Sequence, residues 1–168
     1  MISRIIRFTE IVSDLAAGVS AIILALMTML ILLEILLWNV LEKTTLIADE
    51  YSAYGLAAIT FLGAGYCLKE RGHIRLTLVL GLLPATLARV VTFVATVIST
   101  GFMGYLWWYL YKMVASSYRY GSTSGTLTST PLWIPQALML AGATCFLLQF
   151  IGMSLKTMQA ITTGEEVL

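Results

Sequence analysis

Apolar residues in this chain do not alternate along the sequence. They fill four long runs, at 15–38, 51–68, 90–111 and 132–155. A hydrocarbon core about 30 Å thick takes about 20 helical residues at about 1.5 Å each. Every run is long enough or nearly so. The second and third carry no charge, the first carries only Glu34, and the fourth is polar only at Gln136, Gln149 and a few small residues. Backbone groups left unpaired in lipid are costly, so such runs must close their hydrogen bonds within themselves, as helices. The pattern therefore predicts an all-α integral membrane protein, a single membrane domain over 1–168 with four transmembrane helices.

The stretch between the second and third runs is also patterned. Leu76, Val79, Leu80 and Leu83 recur at helical spacing before Gly81 and Pro84 break it. A short interfacial helix over about 74–83 fits this spacing, tethered by Arg75 and Arg89. Simple extension of the flanking spans is the alternative. Between the third and fourth runs, 112–130 ends in a small, polar stretch from Gly121 to Thr130. Its composition predicts an exposed loop, either a plain connector or a contact for a partner outside the membrane.

Helix ends carry their own signals. Asp49 and Glu50 precede the second span, where acids can cap free N–H groups and complement the helix dipole. Pro135 stands in the first turn of the fourth helix, where its missing N–H costs little. Trp38, Trp107, Trp108, Tyr109, Tyr111 and Trp133 mark the ends of spans one, three and four, which should lie on one side at headgroup depth. Glu10 stands one helical turn after Arg7, a spacing that allows an ion pair, and Asp14 one turn further.

Composition narrows the reading. Of 168 residues, 59% are hydrophobic and 11% charged, against roughly 25% charged in soluble domains. The net charge of +1 lacks the basic excess that nucleic acid demands. Orientation follows the distribution of Lys and Arg. Arg4, Arg7, Lys69, Arg71, Arg75, Arg89 and Lys156 fall on one side, and Lys43, Lys112 and Arg119 on the other. Both termini are expected in the cytoplasm. The first apolar run is too long for a signal peptide and reads as a retained span.

Little in the chain points to catalysis. The single histidine, His73, stands beside Gly72 in a basic loop, where a headgroup contact fits better than metal binding. No Ser-His-Asp set, zinc spacing or phosphate-cradling loop occurs. Cys67 and Cys145 both fall in apolar segments, as small buried side chains. Glu34, the one charge within a span, is a functional candidate by default. Four residues from Trp38, it lies about 6 Å from the helix end, which favours an interfacial role or a pairing with another subunit. Ala17, Ala21 and Ala25 recur every four residues, as do Ala53 and Ala57. With Gly63, Gly65, Gly101, Gly104 and Gly142 they offer small surfaces for close helix contact.

Four motifs carry a resemblance. Asp49-Glu50-Tyr51, then Phe61-Leu62-Gly63-Ala64, then Arg71-Gly72-His73-Ile74-Arg75-Leu76 are similar to the small membrane subunit of tripartite ATP-independent periplasmic (TRAP) transporters. Pro131-Leu132-Trp133-Ile134-Pro135-Gln136, with Gly142 beyond, resembles the same family. Thr77 departs from it, where an acidic residue is common. The resemblance extends over about the whole chain in size, span number and orientation. It implies a non-enzymatic scaffold subunit in a bacterial inner membrane, beside a large permease that takes up an organic acid delivered by a periplasmic binding protein. No cofactor is implied in this subunit; sodium is expected in the permease. The residues expected at partner interfaces or as membrane anchors are Glu34, Glu50, Arg71, His73, Arg75, Arg119 and Trp133. Glu50 would cap the second span. His73 and Arg75 would hold the cytoplasmic loop at the headgroups, and Arg119 with the Ser/Thr loop would help dock the binding protein. Partners would thus be the permease, the binding protein and membrane lipids, with no nucleic acid.

Other readings remain open at this level. The small four-span subunit of a tripartite tricarboxylate transporter has the same gross pattern. A four-helix membrane enzyme of the glutathione-using type would need an Arg and Tyr cluster that these loops lack. An autonomous small exporter would work as a dimer.

Overall fold

A computed structural model describes residues 2–70 and 83–163 of the chain. It consists of four helices: α1 (Ile2–Leu41), α2 (Ala48–Lys69), α3 (Ala85–Tyr120) and α4 (Trp133–Thr163). All four contain a stretch long and apolar enough to cross a membrane. Among the described residues there is no strand, only one isolated bridge between Thr123 and Pro131. Most of the expected interfacial segment 74–83 lies outside the described residues.

The helices run past the expected spans. At 40 residues, α1 is about 60 Å long. The 36 residues of α3 give about 54 Å, well beyond the hydrocarbon thickness. In particular α3 continues nine residues past 111, so Lys112 and Arg119 ride on the helix rather than in a loop. Gly121 then ends α3 in the left-handed conformation, at φ 60°. Its N–H donates to Tyr118 O, and the Ser122 N–H reaches back to Ser117 O at 3.1 Å. This paired closure satisfies the last carbonyls, and a residue without Cβ takes the positive φ at least cost.

Helix α4 lies at the centre, packed against α1, α2 and α3, while α1 and α2 also pack on each other. Extended packing of α3 is with α4 only. One buried cluster joins Ala16, Ala58 and Leu62, with Ile23 and Cys145 against it. A second joins Met103, Leu110 and Ala143, with Phe61, Trp107 and Phe146 around it.

The seam of α1 is drawn by spacing rather than by hydrophobicity. Thr9, Ser13, Ala16, Ser20, Ile23, Met27, Leu30, Glu34 and Leu37 are its buried or half-buried line, separated by alternating steps of three and four after Thr9. That period of 3.5 is the one that keeps two helices in register along a left-handed crossing. Its first four members are small, as close approach in lipid requires. Of the alanine stripe read from the sequence, Ala17 is half-buried while Ala21 and Ala25 are exposed, and Ala16 is the buried contact.

Polar bonds cross this seam. Ser13 Oγ donates to Gln149 Oε1 at 3.1 Å, both residues buried, and Ser20 Oγ donates to Ile59 O at 3.3 Å. On the other side of α4, Trp107 Nε1 donates to Thr144 Oγ1 at 2.8 Å, and the Thr100 and Ser154 hydroxyls lie 2.9 Å apart. Ser13→Ala is expected to cost about 1 kcal/mol by leaving the Gln149 carbonyl without its donor. Adding Gln149→Leu should recover most of that loss in thermal unfolding in detergent; simple additivity of the two losses would show that the bond contributes nothing.

At one end of the bundle two ion pairs fasten α1. Lys69 Nζ lies 2.5 Å from Asp14, and Lys156 Nζ lies 2.5 Å from Glu10. The first links α1 to α2 and the second links α1 to α4. Glu10 therefore pairs across the bundle, in place of the local Arg7 partner that spacing suggested.

Candidate functional site

The opposite end of the bundle gathers most of the described candidate residues, and Glu50 organises it. Tyr51 N–H already donates to Ile47 O as α2 begins, and Ile47, the N-cap residue, makes no side-chain capping bond. The expected capping role of Glu50 is replaced by a longer-range one. Its Oε2 accepts from the hydroxyls of Thr126 and Thr128, and its Oε1 accepts from Tyr54 Oη at 2.7 Å. Glu50 is itself buried, at 8% exposure. A buried carboxylate needs donors on both oxygens, and the Ser/Thr-rich loop supplies them.

The loop is folded to deliver those hydroxyls. Ser124 N–H donates to Thr130 O at 2.9 Å, and Leu132 N–H to Ser122 O at 3.0 Å, closing 122–132 into a narrow hairpin. The Ser124 and Thr126 hydroxyls lie 2.6 Å apart, and those of Thr126 and Thr128 lie 3.0 Å apart. Their chain of hydroxyls converges on one carboxylate. Leu127, between the two donor threonines, is 81% exposed. The segment read as an exposed loop is thus a pinned one, with an apolar tip facing outward.

Glu34, near the end of α1, reaches the connector between α1 and α2. Its Oε1 accepts from Thr44 Oγ1 and from the Thr45 N–H at 2.9 Å, and its Oε2 accepts from Thr45 Oγ1. Two non-glycine residues of this connector, Glu42 and Leu46, hold positive φ values of 51° and 58°. Such conformations persist where surrounding bonds over-determine them. Glu34 anchors the stretch between them by accepting from Thr44 and Thr45, and the Thr44 hydroxyl in turn accepts from the Leu46 N–H at 3.2 Å.

Trp133 opens α4 and meets Tyr118 edge to face, with centroids 5.6 Å apart. Arg119 is exposed in the last turn of α3. Beside Trp133, a groove of about 580 Å³ runs between α2 and α4, lined by Tyr51, Tyr54, Ile134, Leu138 and Ala141 among others. Arg71, His73 and Arg75 lie outside the described residues. The structure therefore brings Glu50 together with the loop, sets Trp133 beside it, and places Glu34 at the neighbouring connector. Sequence reading missed the hydroxyl donors Thr126 and Thr128. Three threonines alternating through 126–130, in a chain whose second span opens on Asp49 and Glu50, were the available signal.

Among the described residues no cluster of His, Cys, Asp or Glu could hold a metal ion. The outer faces of α1 and α3 carry large apolar residues: Leu15, Ile22, Leu26 and Met29 on α1, and Ile98, Phe102 and Tyr105 on α3, are all exposed. A family model described as "Tripartite ATP-independent periplasmic transporters, DctQ component" matches residues 27–160. Searches of the curated proteins and of the solved structures found no match.

Proposed function

The chain belongs to the DctQ family, the small component of tripartite ATP-independent periplasmic transporters, and from this we propose that it is the fixed scaffold beside a large permease. It is a multi-pass membrane protein and a transporter component, not an enzyme. The observation that carries the scaffold reading is the uneven wiring of the helices. Helices α1, α2 and α4 are tied to one another by ion pairs, buried polar bonds and close glycine contacts. The outer faces of α1 and α3 bear large exposed apolar side chains. A tied core with broad apolar flanks suits a support held in lipid against another protein.

In this reading the permease moves an organic acid inward, coupled to sodium, after delivery by a periplasmic binding protein. Both termini face the cytoplasm of the inner membrane, and the pinned loop faces the binding protein. Family membership and the Lys/Arg distribution support these assignments. Co-expression of the tagged chain with a large permease subunit of the same transporter type is expected to yield a stable complex in detergent, with binding-protein-dependent uptake in proteoliposomes only when both subunits are present. Uptake by the purified chain alone would overturn the scaffold assignment.

A further inference from the structure

Carboxylates are distributed unevenly along this chain. Residues 85–163 contain no Asp or Glu, and their basic residues are Arg89, Lys112, Arg119 and Lys156. Lys156 is paired with Glu10. Lys112 and Arg119 are both exposed, and neither forms an ion pair among the described residues. Neither α3 nor the loop that follows it carries a carboxylate to neutralise them.

These two cations share a face of α3. Seven residues separate them, two turns or about 10 Å along the axis. Side chains on a helix lean toward its N-terminus, so Arg119 leans back toward Lys112. A cleft of about 280 Å³ lies between them, flanked by Tyr111 and Tyr120 and floored by Ala115 and Ser116. The small side chain of Ala115 leaves the space, and the exposed Ser116 adds a hydroxyl donor.

The depth of the cleft is fixed by its lower edge. Lys112 Nζ stands 5.4 Å from the centroid of Trp108 and 5.6 Å from that of Tyr109. Exposed Trp and Tyr rings settle at headgroup level. Directly below, Val94, Ile98, Gly101, Tyr105 and Trp108 follow steps of four and three on the same face as Lys112, and all are exposed. A Cβ on Gly101 would meet nothing within 4 Å, so the stripe has a shallow notch midway.

We propose that this face of α3 binds one anionic phospholipid. Lys112 and Arg119 donate to the phosphate, Ser116 supplies a hydroxyl, and an acyl chain lies along the stripe from Trp108 down past Gly101. Charge-assisted donors on a phosphate, set where headgroups lie and continuous with an apolar track, match a lipid better than an acidic protein surface. An acidic protein would use the cations and leave the track unexplained.

Native mass spectrometry of the full chain tests this, with phosphatidylglycerol and a diacylglycerol of the same acyl chains as probes. Wild type is expected to retain phosphatidylglycerol and shed diacylglycerol. K112Q/R119Q should retain about tenfold less phosphatidylglycerol, and K112R/R119K should restore it. Equal retention by wild type and K112Q/R119Q overturns the proposal. So does displacement of the lipid by millimolar inorganic phosphate, which would make the cleft a phosphate site without need of the acyl track. A third overturning result is a loss of binding-protein association in K112Q/R119Q with lipid retention unchanged, which would make the cleft a protein dock.

Discussion

Gly142→Ala is expected to destabilise the bundle by about 3 kcal/mol, more than the same change at any other described glycine. A Cβ at this position would stand 2.7 Å from Leu62 N, 2.7 Å from Phe61 C and 2.8 Å from Phe61 Cβ. Two of those three atoms are backbone, so no rotamer change relieves the clash, and α2 and α4 must move apart. That crossing sits between the two buried clusters: Leu62 belongs to one, Phe61 and Ala143 to the other. Separation there loosens both at once. Gly101→Ala is the control. Its Cβ would meet nothing, and alanine favours a helix over glycine by up to about 1 kcal/mol. Thermal unfolding in detergent should therefore show a large loss for Gly142→Ala and no loss for Gly101→Ala. Equal unfolding temperatures for the two variants would mean that α2 and α4 do not cross this closely.

Glu50→Ala is expected to release the loop while leaving the helices assembled. The carboxylate is the common acceptor for Thr126, Thr128 and Tyr54, and these bonds fasten the loop tip to α2. Without it, the 122–132 hairpin keeps its own backbone bonds but loses its anchor. Local opening then governs access of a protease to the exposed Leu127. Cleavage by chymotrypsin within the loop should accelerate by about an order of magnitude, with the unfolding temperature of the bundle little changed. Glu50→Gln should fall between, because the amide keeps one acceptor oxygen and replaces the other with a donor. Thr126→Val with Thr128→Val should reproduce Glu50→Ala from the other side of the bond. Wild-type cleavage rates in that double variant would show that these hydroxyls do not hold the loop.

Legibility from sequence differed sharply between the two roles of Glu50. Its place at the start of α2 follows from an acid just ahead of an uncharged apolar run. Its partners do not, because they lie 76 and 78 residues away, and the alternation of threonines through 126–130 does not say which acid they meet. Arg119 shows the converse. Composition placed it in a polar loop, but α3 extends through it and stops only at Gly121, where a left-handed residue closes the helix. Glu34 was legible as an acid near a helix end, while its engagement by Thr44 and Thr45 depends on how the connector turns back.

Apolarity along the chain is enough to show that it spans a membrane, with how many helices and roughly where each one lies. These follow from the length and apolarity of single segments, which the bilayer reads one at a time. It did not determine which side of each helix faces inward. In water, the buried stripe is the apolar one and announces itself. In lipid, the outward face is at least as apolar, and the inward seam of α1 runs through Thr9, Ser13, Ala16 and Ser20. Only the tertiary structure decided that seam, because it is selected by how closely backbones approach and by which hydroxyls find acceptors across the gap. The same assembly packed α3 chiefly on α4, leaving its basic outer end and apolar track exposed.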